Sequence, residues 1–154
     1  MSFSIRVKVK IISKEIGSTI PFPGYATSGS AGLDLPACID EPLVMSRGRK
    51  AHIPTGIAIE IPSRYIAGLI LPRSGLASRY GITLANAVGV IDSDYKGEIK
   101  VAIHNQSNQD YIIKPGERIA QLVFLPVYEA VFEQVEELEE TGRGVGGFGS
   151  TGKI

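Results

Sequence analysis

The stretch FSIRVKVK, residues 3–10, alternates apolar Phe3, Ile5, Val7 and Val9 with polar Ser4, Arg6, Lys8 and Lys10. A period of two puts the four apolar side chains on one face of an extended chain, so the stretch reads as a half-buried strand. Working outward, short apolar runs recur at 53–61, 66–71, 82–91, 99–103, 111–113 and 119–127, separated by Gly, Pro, Asn or Asp. Many short strands with frequent turn signals predict an all-β sandwich, jelly roll or barrel. Nine prolines and eighteen glycines interrupt nearly every window long enough to hold a helix. Two segments stand apart. SGLASRY, 74–80, reads as one or two helical turns, with Ser74 as N-cap and Gly81 as the stop. AVFEQVEELE, 130–139, fits a helix through Val131, Val135 and Leu138 and fits a strand as well.

With 154 residues the chain fits one domain, large enough to bury a core and too short for two ordinary ones. Sixteen basic and sixteen acidic residues cancel, which argues against a general nucleic-acid binder, since that needs a basic field to release counterions. A local anion pocket is still permitted. A single cysteine, Cys38, allows no internal disulfide, and the first ten residues lack the apolar run of a signal peptide, so a cytoplasmic location is expected, with no membrane contact.

Several stretches carry candidate chemistry. GFGSTGK at 147–153 imitates a P-loop, but Ile154 stands where Ser or Thr is required and no helix follows. No βαβ unit frames a dinucleotide fingerprint, and His52 and His104 are isolated, with no zinc spacing. In LPRSGLASRYG, 71–81, Arg73 and Ser74 stand where a strand ends and a short helix begins. A guanidinium, a hydroxyl and helix N–H groups there can meet one anion; the plainer reading is an N-cap with a surface arginine nearby. NAVGVIDSDYKGEIKV, 86–101, places Asp92, Asp94 and Tyr95 between two strand-like runs. A hairpin turn would explain them, yet Asp92 follows Ile91 directly, and a carboxylate at a pocket edge can orient and deprotonate water. Asp34 in SAGLDLPA is either a second such group or a solvated strand residue. PGERIAQLVF reads as a turn entering a strand, with nothing local that demands a role for Gln121. The tail RGVGGFGSTG, 143–152, offers glycine N–H groups for phosphates, Arg143 as a charge and Phe148 as a stacking surface, or is simply disordered.

Five of these segments, in this order, resemble the five motifs of the trimeric dUTP pyrophosphatases, the dUTPases: AGLDLPA at 31–37, PRSGLASRYG at 72–81, NAVGVIDSDYKG at 86–97, GERIAQLVF at 116–124 and RGVGGFGSTG at 143–152. Each is weak alone, and together they are specific. The resemblance spans about residues 27–152, and no catalytic position departs from the family pattern. It implies a jelly-roll-like β-barrel with at most one short helix near 74–80, a β domain at 1–140 and a flexible glycine-rich lid at 141–154. It also implies that 130–138 is mostly strand, and that the subunits form a homotrimer with sites at subunit boundaries, the fifth motif closing from a third chain.

The implied reaction is hydrolysis of dUTP to dUMP and pyrophosphate, which limits uracil incorporation into DNA and supplies dUMP for thymidylate synthesis. By the same matching, Asp92 activates water for attack on the α-phosphorus, and Asp34 supports the water and metal environment. Arg73, Ser74 and Gln121 contact phosphates, while Arg143, Ser150 and Thr151 contact the γ end. Asn86 helps read uracil in a hairpin too tight for a 5-methyl group, Tyr95 lies beneath the deoxyribose, and Phe148 stacks on the base. Gly75, Gly89, Ile91 and Gly149 complete the implied substrate contacts. Mg²⁺ suits a triphosphate on chemical grounds. It is expected to arrive on the nucleotide, with no direct protein ligand and Asp34 reached through water. Two rivals stand beside this reading. A dCTP deaminase of the same fold would use a glutamate base and lack an intact fifth motif. A non-enzymatic jelly-roll module would leave Asp92, Asp34 and Tyr95 without a purpose.

Overall fold

The computed structural model of the chain describes residues 4–142 and 144–147. Among these residues eleven strands and one helix follow one another: β1 Lys8–Ile11, β2 Gly24–Tyr25, β3 Leu33–Pro36, β4 Leu43–Met45, β5 Lys50–Glu60, β6 Ile66–Pro72, α1 Ser74–Tyr80, β7 Ile82–Leu84, β8 Gly89–Ile91, β9 Glu98–Asn105, β10 Tyr111–Ile113 and β11 Arg118–Pro126. They form a four-stranded sheet in the order β1-β5-β9-β7, a five-stranded sheet in the order β2-β3-β11-β6-β8 and a β10-β4 pair, all antiparallel. This is the jelly-roll-like all-β architecture expected.

Period-two burial builds the core. Along β9, Ile99, Val101, Ile103 and Asn105 are buried while Lys100 is exposed and Ala102 and His104 are half-buried. Leu35, Met45, Ile53, Ile113 and Ile119 join them with at most 1% of their surface exposed, and each such side chain contributes about 1.5–3 kcal/mol by leaving water. Asn105 is tolerated there because its side-chain Nδ2 donates to the Met45 and Gln109 carbonyls and its Oδ1 accepts from Ser107.

Four expectations change. The alternating stretch at the N-terminus forms a ladder only from Lys8 to Ile11, and all four of those residues are exposed. Phe3 lies outside the described residues. The apolar side chains Ile5, Val7 and Val9 instead line an open groove of 690 Å³ with Leu33 and Phe124, so β1 is an edge strand whose apolar face is left open among the described residues. Secondly, the N-cap of α1 is Arg73, with no side-chain cap bond; Ser74 is the first helical residue, because the Arg73 backbone is extended and its carbonyl already accepts from Ala77. Gly81 does end the helix at φ 66°, and a Cβ there would lie 2.9 Å from the Ser107 backbone nitrogen.

Thirdly, the run at 82–91 is two strands and not one, and they do not pair as a hairpin around Asn86: β7 lies in the four-stranded sheet and β8 in the five-stranded one, so residues 85–88 carry the chain between sheets. The turn at 92–97 likewise joins β8 to β9 across sheets. Lastly, 130–138 holds no strand. A strand needs a neighbour to close its N–H and C=O groups, and after β11 the segment meets none: Val131, Phe132 and Leu138 are 90%, 97% and 85% exposed.

Candidate active site

Strand register assembles the first cluster. Asp34 on β3 and Leu71 on β6 both pair with Gln121 on β11, so the ends of three strands meet beside the first turn of α1. Asp34 is the hub. Its Oδ1 lies 3.0 Å from Arg73 Nε, and its Oδ2 accepts from Arg118 Nη1 at 3.0 Å. Arg73 Nη1 also donates to the Arg118 carbonyl at 3.2 Å. The carboxylate is 14% exposed and the Arg73 side chain 30%, so one half-buried anion orients a guanidinium that still reaches solvent. Gln121 is fixed from two sides: Nε2 donates to the Pro72 carbonyl at 3.1 Å, and Oε1 packs against Gly32, where a Cβ would sit only 2.8 Å away.

These groups open on a cleft of 530 Å³ that Ser74, Gly75, Arg79 and Tyr80 also line. First-turn N–H groups of a helix have no intrahelical acceptor, and the two carboxylates of the lining, Asp34 and Glu117, already accept from other groups, so the N–H groups, Ser74, Arg73 and Arg79 are left to suit the cleft to an anion. Its far wall is rigid. The Tyr111 hydroxyl donates to the Glu117 carboxylate, whose other oxygen accepts from Lys114 N–H at 3.0 Å. The Tyr80 and Tyr111 rings lie 5.2 Å apart. Burial, and then the bond to Glu117, push the Tyr111 hydroxyl well above its ordinary pKa.

The second cluster follows β8. Ile91 is buried and Asp92 exposed, the Tyr95 N–H donates to the Asp92 carbonyl at 3.1 Å, and the Tyr95 hydroxyl to the Glu98 carbonyl at 2.9 Å. Ile91 pairs with Gly68 and Gly89 with Ile70, so Asp92 leaves the sheet near the start of β6 while Arg73 leaves at its end. Six residues at about 3.3 Å each separate the two ends by about 20 Å.

Residues 18–152 match the family model of the dUTPases. The chain belongs to the dUTPase family. It is 55% identical over 148 residues to the deoxyuridine 5'-triphosphate nucleotidohydrolase of Idiomarina loihiensis, covering 96% of this chain and 98% of that one. With the same enzyme of Legionella pneumophila it shares 53% over 147 residues, covering 96% and 97%. Among solved structures, the dUTPase of Staphylococcus bacteriophage 80alpha with dUpNHpp superposes with a TM-score of 0.80 at 29% identity, covering 97% and 99%. A mutant dUTPase of the S. aureus phage phi11, solved with a structural Mg(II) ion, gives 0.76 at 25% identity, covering 88% and 100%.

Against the family's motifs, this chain brings Asp34, Arg73, Ser74, Gly75 and Gln121 to one cleft. It leaves Asn86, Gly89, Ile91, Asp92 and Tyr95 outside that cleft. Arg143, Phe148, Gly149, Ser150 and Thr151 lie outside the described residues. Sequence reasoning missed Arg118, Glu117, Tyr111 and Gly32. Arg118 and Glu117 sit inside the GER of a quoted motif, a signal that was in reach; Tyr111 had none, because only the fold brings β10 to the cleft.

Proposed function

We propose that the protein hydrolyses dUTP to dUMP and pyrophosphate in sites shared between copies of the chain in a homotrimer. The observation that carries this is the separation of the two clusters: the phosphate cleft and Asp92 leave opposite ends of β6, so one copy's cleft is completed by another copy's 86–95 stretch. The uncovered apolar groove beside β1 and the exposed apolar side chains of 128–138 support association, since such surface is costly in water.

In the assembled site Asp92 holds a water in line with the α-phosphorus. As the oxygen attacks, its proton passes to the Asp92 carboxylate, and the bond from the α-phosphorus to the bridging oxygen breaks, releasing pyrophosphate. Charge gathering on the α-phosphate oxygens is met by donors already in place, the Ser74 hydroxyl and the Gln121 carboxamide. Arg73 takes the phosphate chain, and Asp34 acts through it by fixing the guanidinium. Asn86 reads uracil, with Gly89 and Ile91 at the same edge, and Tyr95 packs beneath the deoxyribose, where a 2′-hydroxyl would clash. The segment 141–154 closes as a lid, bringing Arg143, Phe148, Gly149, Ser150 and Thr151 to the nucleotide.

Among the described residues no group of three or more metal-binding side chains forms a cage, and both Asp34 oxygens already accept from guanidinium groups. Mg²⁺ therefore fits as a passenger on the triphosphate, with Asp34 within reach only through water; when bound it neutralises phosphate charge. The enzyme thereby limits uracil incorporation into DNA and supplies dUMP for thymidylate synthesis. Among the described residues no helix is long and apolar enough to cross a membrane.

The test is pyrophosphate release from dUTP, dTTP, dCTP and UTP with Mg²⁺, for the wild-type protein and Asp92→Asn. Release from dUTP alone, reduced about 10²–10⁴-fold in the variant, is expected. Unchanged activity in the variant, or ammonia from dCTP, would contradict the reading.

A further inference from the structure

The ladder of β11 changes step beside the cleft. Gln121 pairs with Asp34 and Ala120 with Leu35, but the next pair is Arg118 with Pro36, which leaves Ile119 as an extra residue. In an unbroken ladder Ile119 would stand opposite Pro36, on the face of Asp34 and Gln121, with Arg118 on the reverse face. The bulge exchanges them. Ile119 turns inward to join Ala120 and Leu122 in the core, with 1% of its surface exposed, and Arg118 emerges on the face that carries Asp34.

Arg118 does not line the cleft. Its Nη1 donates to Asp34 Oδ2 at 3.0 Å, and its carbonyl accepts from Arg73 Nη1 at 3.2 Å. Arg73 meets the same carboxylate through Nε, 3.0 Å from Oδ1. A guanidinium beside a free carboxylate favours a fork, in which two parallel N–H bonds take both oxygens. At Asp34 the second oxygen is held by another cation, and two guanidiniums crowded on one oxygen repel. Among the described residues Nη2 of Arg73 then has no protein acceptor. Asp34 alone would aim Arg73 and consume its donors; with Arg118 in place the aim is kept and a donor pair stays free.

We infer that Arg118, turned toward Asp34 by the bulge in β11, is a positioning residue for the reaction: by occupying Oδ2 it stops Asp34 from clamping Arg73 in a fork and leaves Nη2 of Arg73 to the phosphate chain. This rests on the proposed role of Arg73 toward the phosphates.

The experiment compares KM and kcat for dUTP with Mg²⁺ in wild type, Arg118→Ala, Arg118→Met and Arg118→Lys, and repeats Arg118→Ala in an Arg73→Lys background. Without Arg118 the fork closes, and loss of a phosphate contact made before and during the reaction raises KM about tenfold with kcat within about twofold. Arg118→Met keeps the apolar stem and gives the same shift, even if the alanine variant folds poorly. Arg118→Lys returns an ammonium to Oδ2 and recovers most of the lost affinity. In the Arg73→Lys background no fork can form, so Arg118→Ala has no further effect on KM. Unchanged KM in both Arg118→Ala and Arg118→Met, or the same rise in the Arg73→Lys background, overturns the inference. A crystal structure of Arg118→Ala decides it independently of turnover: Arg73 holding both Asp34 oxygens supports it, and Arg73 on Oδ1 alone contradicts it. A wild-type protein that leaves dUTP intact contradicts the proposed function instead.

Discussion

The cleft around Asp34 and the stretch from Asn86 to Tyr95 are stabilised in different ways. In the cleft the functional side chains are held fast: one carboxylate binds two guanidiniums, a glutamine is locked between a carbonyl and a glycine, and a tyrosine is tied to a glutamate. In the second stretch, main-chain turns do the holding. Asn86, Asp92 and Tyr95 are exposed, and among the described residues only Tyr95 of the three makes a side-chain hydrogen bond, to a carbonyl three residues on. A preformed half of side chains suited to an anion and an open half around Asp92 are what the proposed division of the site between chains requires. Each half must fold before it meets the other.

The contrast can be strained from several directions. Deleting residues 143–154 should lower turnover about a hundredfold or more, because the proposed lid contacts are made only on closure. The melting temperature should stay unchanged, since the proposed lid contacts are made to the nucleotide; a collapsed fold would make the tail structural. Gly32→Ala should act on the preformed half alone. Its Cβ would fall 2.8 Å from Gln121 Oε1 and 3.1 Å from Gln121 Cβ, and only the first of these atoms can swing away. A loss of about 1–3 kcal/mol in denaturant unfolding is expected, together with a reduced kcat. Wild-type stability and kcat would mean that Gln121 is not locked.

Tyr111→Phe is the mildest test, at about 1 kcal/mol for one hydrogen bond. Because the folded state raises the Tyr111 pKa above the ordinary 10.0, its stabilisation is full below that pH. It is lost as pH climbs higher, where the unfolded chain releases the proton more easily. Unfolding measured from pH 8 to 11 should therefore show a decline in the wild type that is shallower in the phenylalanine variant. Parallel curves would show that Tyr111 does not contribute to it.

Much of this architecture was legible in local pattern. The runs at 66–71, 111–113 and 119–127 fall on β6, β10 and β11 within a residue, and α1 ends where Gly81 stops it. Local pattern could not show that β7 and β8, four residues apart, belong to different sheets. Nor could it show that Arg118 reaches across 84 positions to Asp34. The 130–138 stretch failed for a related reason: its apolar spacing suits a strand, but a strand exists only with a neighbour, and the described residues supply none. Sequence exposes what neighbours along the chain decide and hides what distant segments decide together.

The division of the site is tested most directly by mixing two inactive proteins. Asp92→Asn retains an intact cleft and Arg73→Gln an intact Asp92, so neither alone should release pyrophosphate from dUTP at more than a trace. Unfolded together in equal amounts and refolded, they should recover about a quarter of wild-type activity, the share of boundaries at which random assembly joins an intact cleft to an intact Asp92. If each active site lay within a single chain, the mixture would be as inactive as its parts.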